Sequence, residues 1–248
     1  MLVNNKGMKS LLFILKHKIF YTLYNFFSLF SPLDFCILCK KECGDFFCKN
    51  CHNQLRKYIS ITNRCSLCGR ILLSEKGICM YCRRKTNQRI SVCALFPYAL
   101  WMKDLVFQWK EANLRKFSYS IAHFYYETIK EKYSDYVIVP IPPRPKKIFA
   151  LGWDQMNDIA NYLKYYFHCD VQKLLKRTEN FQQKKLSKEE RLYSKNKYVV
   201  KNENMTLPKK ILLIDDIMTT GATIESCGIL LKNKGATEVC ALVLCGVD

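Results

Sequence analysis

Four C-x-x-C pairs crowd into one short stretch of this chain: Cys36/Cys39, Cys48/Cys51, Cys65/Cys68 and Cys79/Cys82. A C-x-x-C turn aims two thiolates at one ion, and two such turns complete a closed tetrahedral site, for which zinc is the usual occupant. Within a sequential pairing the gaps are eight and ten residues, short enough for hairpin-like ribbons. Pairing first with second and third with fourth is the simplest arrangement; a crossed pairing satisfies the same ligand count. Either way the eight thiolates supply two structural Zn²⁺ sites, whose binding energy stands in for the core a small module lacks. Cys43 and His52 lie beside the ligands and read as bystanders. A disulfide framework would need an export signal. The N-terminal apolar run Leu11–Leu15 is too short for one and is cut by Lys16 and Lys18. No stretch reaches the roughly 20 apolar residues of a spanning helix. The reading is a reducing, cytoplasmic location with no transmembrane segment.

Charge narrows the partners. Lys and Arg number 40 against 21 Asp and Glu, a net +19, which favours a polyanion: nucleic acid, anionic lipid or a phosphate-rich small molecule. With 248 residues, 49% of them hydrophobic, the chain is neither disordered nor short of core material. Three segments are expected. Residues 1–35 read as a leader, with Ser10 capping a basic, apolar helix that docks on the protein or contacts a membrane surface through residues 9–30. Residues 36–90 form the double zinc-ribbon module, and residues 91–248 the main domain.

In that main domain apolar runs alternate with helical patterns. Strands are expected at Val92–Tyr98, Tyr136–Ile141, Lys210–Asp216 and Glu238–Leu244. One or two helices are expected over Trp101–Lys132, and others at Met156–Phe167 and Thr219–Lys234, while the polar stretch 176–197 reads as a mobile loop. Continuous apolar strands alternating with helices define an α/β fold with a parallel sheet flanked by helices.

Ile211–Thr223 (ILLIDDIMTTGAT) carries the chemistry. A buried strand delivers Asp215 and Asp216 to its C-terminal end, where open α/β sheets bind ligands. Thr219, Thr220, Gly221, Ala222 and Thr223 then form a small, hydroxyl-rich turn opening a helix, suited to a phosphate, with the carboxylates suited to ribose hydroxyls. The other reading is a Walker B-like strand, but no G-x-x-x-x-G-K-[ST] loop accompanies it. Between Pro140 and Lys197 there are 13 Lys and Arg against 6 Asp and Glu, and Arg144, Lys146 and Lys147 directly follow a strand end where an anion would sit. Lys110 reads either as a reach toward that anion or as a snorkelling surface lysine. Trp153 reads as core packing or as a stacking surface.

The segment resembles the phosphoribosyl pyrophosphate (PRPP) motif of type I phosphoribosyltransferases. Together with the four cysteine pairs, YALWMKDLVFQWK (98–110), VPIPPRP and Gly152–Gln155 (GWDQ), the chain from about residue 33 to 248 resembles the ComF competence family. That resemblance implies a type I phosphoribosyltransferase-like sheet preceded by the four-cysteine zinc ribbons. It implies PRPP with Mg²⁺ as ligand, Asp215 and Asp216 on the ribose hydroxyls, and Thr219 to Thr223 around the 5-phosphate. It places the pyrophosphate against the loop holding Pro143, Arg144 and Pro145. It also implies a role in DNA uptake during natural transformation, with single-stranded DNA and a competence helicase as candidate partners. Two functions compete: a phosphoribosyltransferase of unknown acceptor, for which no general base is readable, or a non-catalytic PRPP-sensing or DNA-binding factor. The family usually has G-F-N-Q where this chain has Gly152, Trp153, Asp154 and Gln155, an acid for an amide. Gln183, Leu186 and Arg191 fit its Q-x-x-L…R pattern, with Ser194 where Asn is common.

Overall fold

The computed structural model describes residues 35–61, 63–84, 90–98, 100–110, 117–143, 153–178, 197–202 and 204–246. The expected leader helix, Arg144 and Pro145, and the Gln183–Ser194 pattern lie outside these residues. The chain divides into two compact units, Met1–Asn53 and Gln54–Asp248, so the boundary falls between the two cysteine clusters. In the first unit Phe35 bridges to Glu42 around the Cys36/Cys39 turn, and helix α1 (Lys49–Ile59) begins just after Cys48.

The second unit opens with the same device: Arg64 bridges to Ile71 around Cys65/Cys68, and the short helix α2 (Met80–Arg84) begins just after Cys79. There follow β1 (Ser91–Pro97), α3 (Leu100–Lys110), α4 (Phe117–Lys132), β2 (Val137–Pro140), α5 (Gln155–Tyr165), β3 (Leu175–Arg177), β4 (Tyr198–Val200), β5 (Lys210–Met218), α6 (Ala222–Asn233) and β6 (Glu238–Gly246). Strands β1, β6, β5 and β2 form one sheet in that order, every pair parallel. Ile211, Leu212, Leu213 and Ile214 are all fully buried, as a strand covered on both faces requires. Edge strand β2 ends in Pro140, which has no N–H to lose; its outer side is covered where Ile138 N donates to Asp170 O at 2.8 Å.

The expected elements are present, with instructive differences. Trp101–Lys132 contains two helices, pinned to each other where Trp109 Nε1 donates to Ser118 Oγ at 3.0 Å. Strand β5 runs two residues past Asp216, because Asp215 and Ile217 stay in register with Val243 and Cys245 of β6. The helix expected from Thr219 starts only at Ala222, after Gly221 turns the chain at φ 76°. The start of the polar stretch 176–197 is not loop: Lys176 and Arg177 belong to β3, which pairs antiparallel with Tyr198–Val200.

The second cysteine knuckle is built into the sheet. Arg64 Nη1 donates to Ala94 O at 2.7 Å and Gly69 O at 3.0 Å, and Val92 N donates to Leu67 O at 2.9 Å. Gly69 has φ 73°, and a Cβ there would lie 2.5 Å from Ala94 N and 2.8 Å from Val92 O. Gly69→Ala is therefore expected to cost about 1–2 kcal/mol for the left-handed backbone and about 1–3 kcal/mol more for overpacking. Urea unfolding measures it, and a loss below about 1 kcal/mol would show that the knuckle is not held against β1.

Candidate functional site

The cysteines sort sequentially into two clusters, Cys36, Cys39, Cys48 and Cys51, then Cys65, Cys68, Cys79 and Cys82, with all four sulfurs of each within 4.8 Å of one another. The crossed pairing is thereby set aside, and Cys43 is outside both clusters, its thiol donating to Asp45 O at 2.8 Å. A tetrahedral site with Zn–S of about 2.3 Å has sulfur–sulfur edges of about 3.8 Å. The Cys39–Cys48 and Cys68–Cys79 separations are 3.6 and 3.7 Å. These two clusters can hold zinc. Burial pushes the Cys65 thiol up, but the backbone N–H groups of Cys79, Cys68 and Leu67 outweigh it and bring it down to about 7. That favours the thiolate, the form that binds metal.

The second feature lies at the C-terminal end of β5. Asp215 Oδ1 accepts from Asp216 N at 2.9 Å, and Asp216 Oδ1 accepts from Ile217 N at 2.6 Å. Tyr125 donates its phenol to the Asp215 carbonyl at 2.6 Å; burial, then the charges of Asp215 and Asp216, raise its pKa well above the ordinary value, so it remains a donor. Asp216 Oδ2 is ion-paired with Lys110 Nζ of α3, the two side chains only 17% and 11% exposed. Lys110 is thus neither a surface lysine nor an open reach toward an anion; it is a buried partner of the motif's second acid. After β5, Gly221 precedes α6 at φ 76° with no side-chain cap of its own, and Ala222 N donates to Thr220 Oγ1 at 3.4 Å.

These groups open on a cleft of about 580 Å³. Asp215, Asp216, Ala222, Thr223 and Ser226 form one wall. Ile141, Pro142, Pro143 and the start of α5 (Asp154, Gln155, Met156) form another, and Arg177, Lys197 and Tyr198 a third. Of the residues expected in the site, the cleft thus gathers both acids, Ala222, Thr223 and Pro143. Thr219 and Thr220 line instead a smaller cavity shared with Arg64, Arg70 and Tyr81 of the second knuckle. Trp153 resolves as core, 4% exposed and edge-on to Trp109 at 6.2 Å. The neighbouring acid acts locally, for Asp154 caps α5, its carboxylate accepting from Asn157 N at 3.0 Å. Asn and Asp cap equally well, so the departure from G-F-N-Q preserves the cap.

Sequence reading missed Arg177, Lys197 and Tyr198. Arg177 ends β3 and Lys197 directly precedes β4, so the β3–β4 pairing brings both to the cleft. Arg177 Nη1 donates to the Tyr198 hydroxyl at 2.8 Å, which holds the guanidinium on the cleft wall. Asp215, Asp216, the start of α6 and two cations thus line one cleft.

A strand-end acid pair followed by a helix-opening turn, on a parallel sheet of this order, defines the phosphoribosyltransferase class, and the model of the phosphoribosyl transferase domain matches residues 114–248. Two relatives narrow the class. Competence protein ComFC of Streptococcus pneumoniae is 34% identical over 180 residues, 71% of this chain and 77% of the relative. Competence protein ComFC of Bacillus subtilis is 30% identical over 197 residues, 76% and 78% of the two chains. The chain belongs to the ComF family of competence proteins, with a phosphoribosyltransferase domain. Among solved structures, the allosteric regulatory enzyme of purine biosynthesis superposes at 14% identity over 51% of this chain and 25% of that one, with a TM-score of 0.36, too distant to carry an argument. Among the described residues no helix is long and apolar enough to cross a membrane.

Proposed function

We propose that the cleft binds PRPP with Mg²⁺ and that the protein acts in competence, as the names of its relatives suggest. The observation that supports the reading is the gathering of Asp215, Asp216, Ala222 and Thr223 on one cleft that Arg177 and Lys197 also line. Asp215 and Asp216 would take the ribose hydroxyls, the turn the 5-phosphate, and Pro143, with Arg144 and Pro145 beyond it, the pyrophosphate side. Mg²⁺ would arrive on the diphosphate and neutralise part of its charge. Zinc in the two cysteine clusters would be structural, since four thiolates close each site.

Two uses of such a cleft are open to test. An enzyme would displace diphosphate from C1 by electrostatic stabilisation of the leaving group, a role that Arg177 and Lys197 would fill. A binding factor in the cytoplasm would use PRPP as a signal while its basic surface, part of a net +19, engages single-stranded DNA. A competence helicase is the partner this second reading proposes.

The first test is calorimetric titration of the zinc-loaded protein with PRPP and Mg²⁺, beside Asp215→Asn. Asp215 is the better target because changing Asp216 would strand Lys110. Binding that weakens about tenfold or more in the variant is expected from a lost charge-assisted hydrogen bond. Absence of binding by the wild type would remove the reading. Diphosphate released on adding an acceptor would then separate the enzyme from the binding factor, and a salt-sensitive DNA affinity indifferent to PRPP would favour the latter.

A further inference from the structure

Gln155 is the first residue of α5 and lines the cleft, yet it is only 3% exposed. Its Nε2 is buried and has no hydrogen-bond partner among the described residues. A buried amide N–H without an acceptor is costly, and native structures retain one chiefly where something else completes it. The capping role at this helix end is already filled by Asp154, so Gln155 is not needed to terminate α5. Its neighbourhood points to an anion. A second cavity of about 230 Å³ shares Pro142, Pro143, Asp154 and Arg177 with the cleft and adds Lys173, Lys176 and Lys201. Burial, then the nearby Lys201 charge, lowers the pKa of Lys173 against the opposing charge of Asp154, so the cations of this cavity outnumber its acid.

We propose that Gln155 is a ligand-contact residue that donates from its side-chain amide to an oxygen of the diphosphate on C1 of PRPP, and so lets the cleft distinguish PRPP from ribose 5-phosphate. This rests on the PRPP reading above and deepens it. With the ribose on Asp215 and Asp216 and the 5-phosphate at the α6 turn, the C1 substituent faces the remaining walls. Gln155 and the Lys173–Lys201 cavity lie on that side. A phosphate oxygen satisfies the orphan donor through a charge-assisted bond, stronger than a neutral one.

The test compares the zinc-loaded wild type with Gln155→Met and Gln155→Glu, titrated with PRPP·Mg²⁺ and with ribose 5-phosphate, and melted without ligand. Met keeps the length and removes the orphan donor. PRPP affinity is expected to fall about tenfold or more while ribose 5-phosphate stays within about twofold, and the ligand-free melting temperature to rise by about 2–4 °C. Glu, isosteric but anionic, is expected to weaken PRPP further than Met does. Unchanged PRPP affinity in both variants, or equal weakening of both ligands, would overturn the assignment while leaving the cleft reading intact. A wild type that binds neither ligand would overturn the cleft reading and this proposal with it.

Discussion

Cys65→Ser is expected to unfold the sheet unit, whereas Cys39→Ser is expected to release a metal ion and leave that unit's melting transition unchanged. Both substitutions remove one of four ligands, but the clusters differ in what surrounds them. Cys65, Cys68, Cys79 and Cys82 are 2%, 8%, 1% and 2% exposed. They belong to the same apolar cluster as Val92 and Ala94 of β1, Met218 at the end of β5 and Ile224 of α6. Apparent zinc-binding energies of structural sites, about 10–16 kcal/mol, match or exceed the net stability of a domain, about 5–15 kcal/mol. Losing the second site therefore removes the margin on which the sheet depends. Cys39 is exposed, and its cluster falls in the other compact unit. Metal content per chain and the circular-dichroism melt read the two effects separately. Equal melting of the two variants would show that the second knuckle does not support the sheet.

Lys110→Met is the second large effect, with an expected loss of about 3–5 kcal/mol, the usual result of removing one partner of a buried ion pair. Asp216 would keep its bond from Ile217 N but lose the cation on Oδ2, with little solvent to replace it. Adding Asp216→Asn to Lys110→Met is expected to recover part of the loss, since the stranded charge is then gone. The double-mutant cycle in urea isolates that coupling. A single-variant loss below about 1 kcal/mol, or a double variant with additive losses, would show that the pair is not coupled in solution. The same cycle tells whether Asp216 is held as a structural anion before any ligand arrives.

Much of this protein is short-range information. The alternation of buried strands and helices was readable because a parallel strand must be apolar on both faces, as Ile211–Ile214 are. The cysteine ligands were readable because a C-x-x-C turn is a local geometry, although the choice between sequential and crossed clusters needed the fold. The turn after β5 was readable because Gly221, with its positive φ, is a local signal at the start of α6.

What lay beyond the sequence depends on residues far apart in the chain. Lys110 read equally as a surface lysine or as a reach toward an anion, because nothing in its own segment announces a partner on β5. Arg177 and Lys197 looked like part of a solvated charged stretch until β3 paired with β4 and set them on the cleft wall. The orphan amide of Gln155 is invisible in a string of letters, because burial and a missing partner are properties of everything packed around a residue. Hydrophobic periodicity and turn chemistry act over a few residues and so are written in order along the chain. Ion pairing, desolvation and the shape of a cleft are sums over neighbours that the chain order does not name, and the packed sheet alone brings them together.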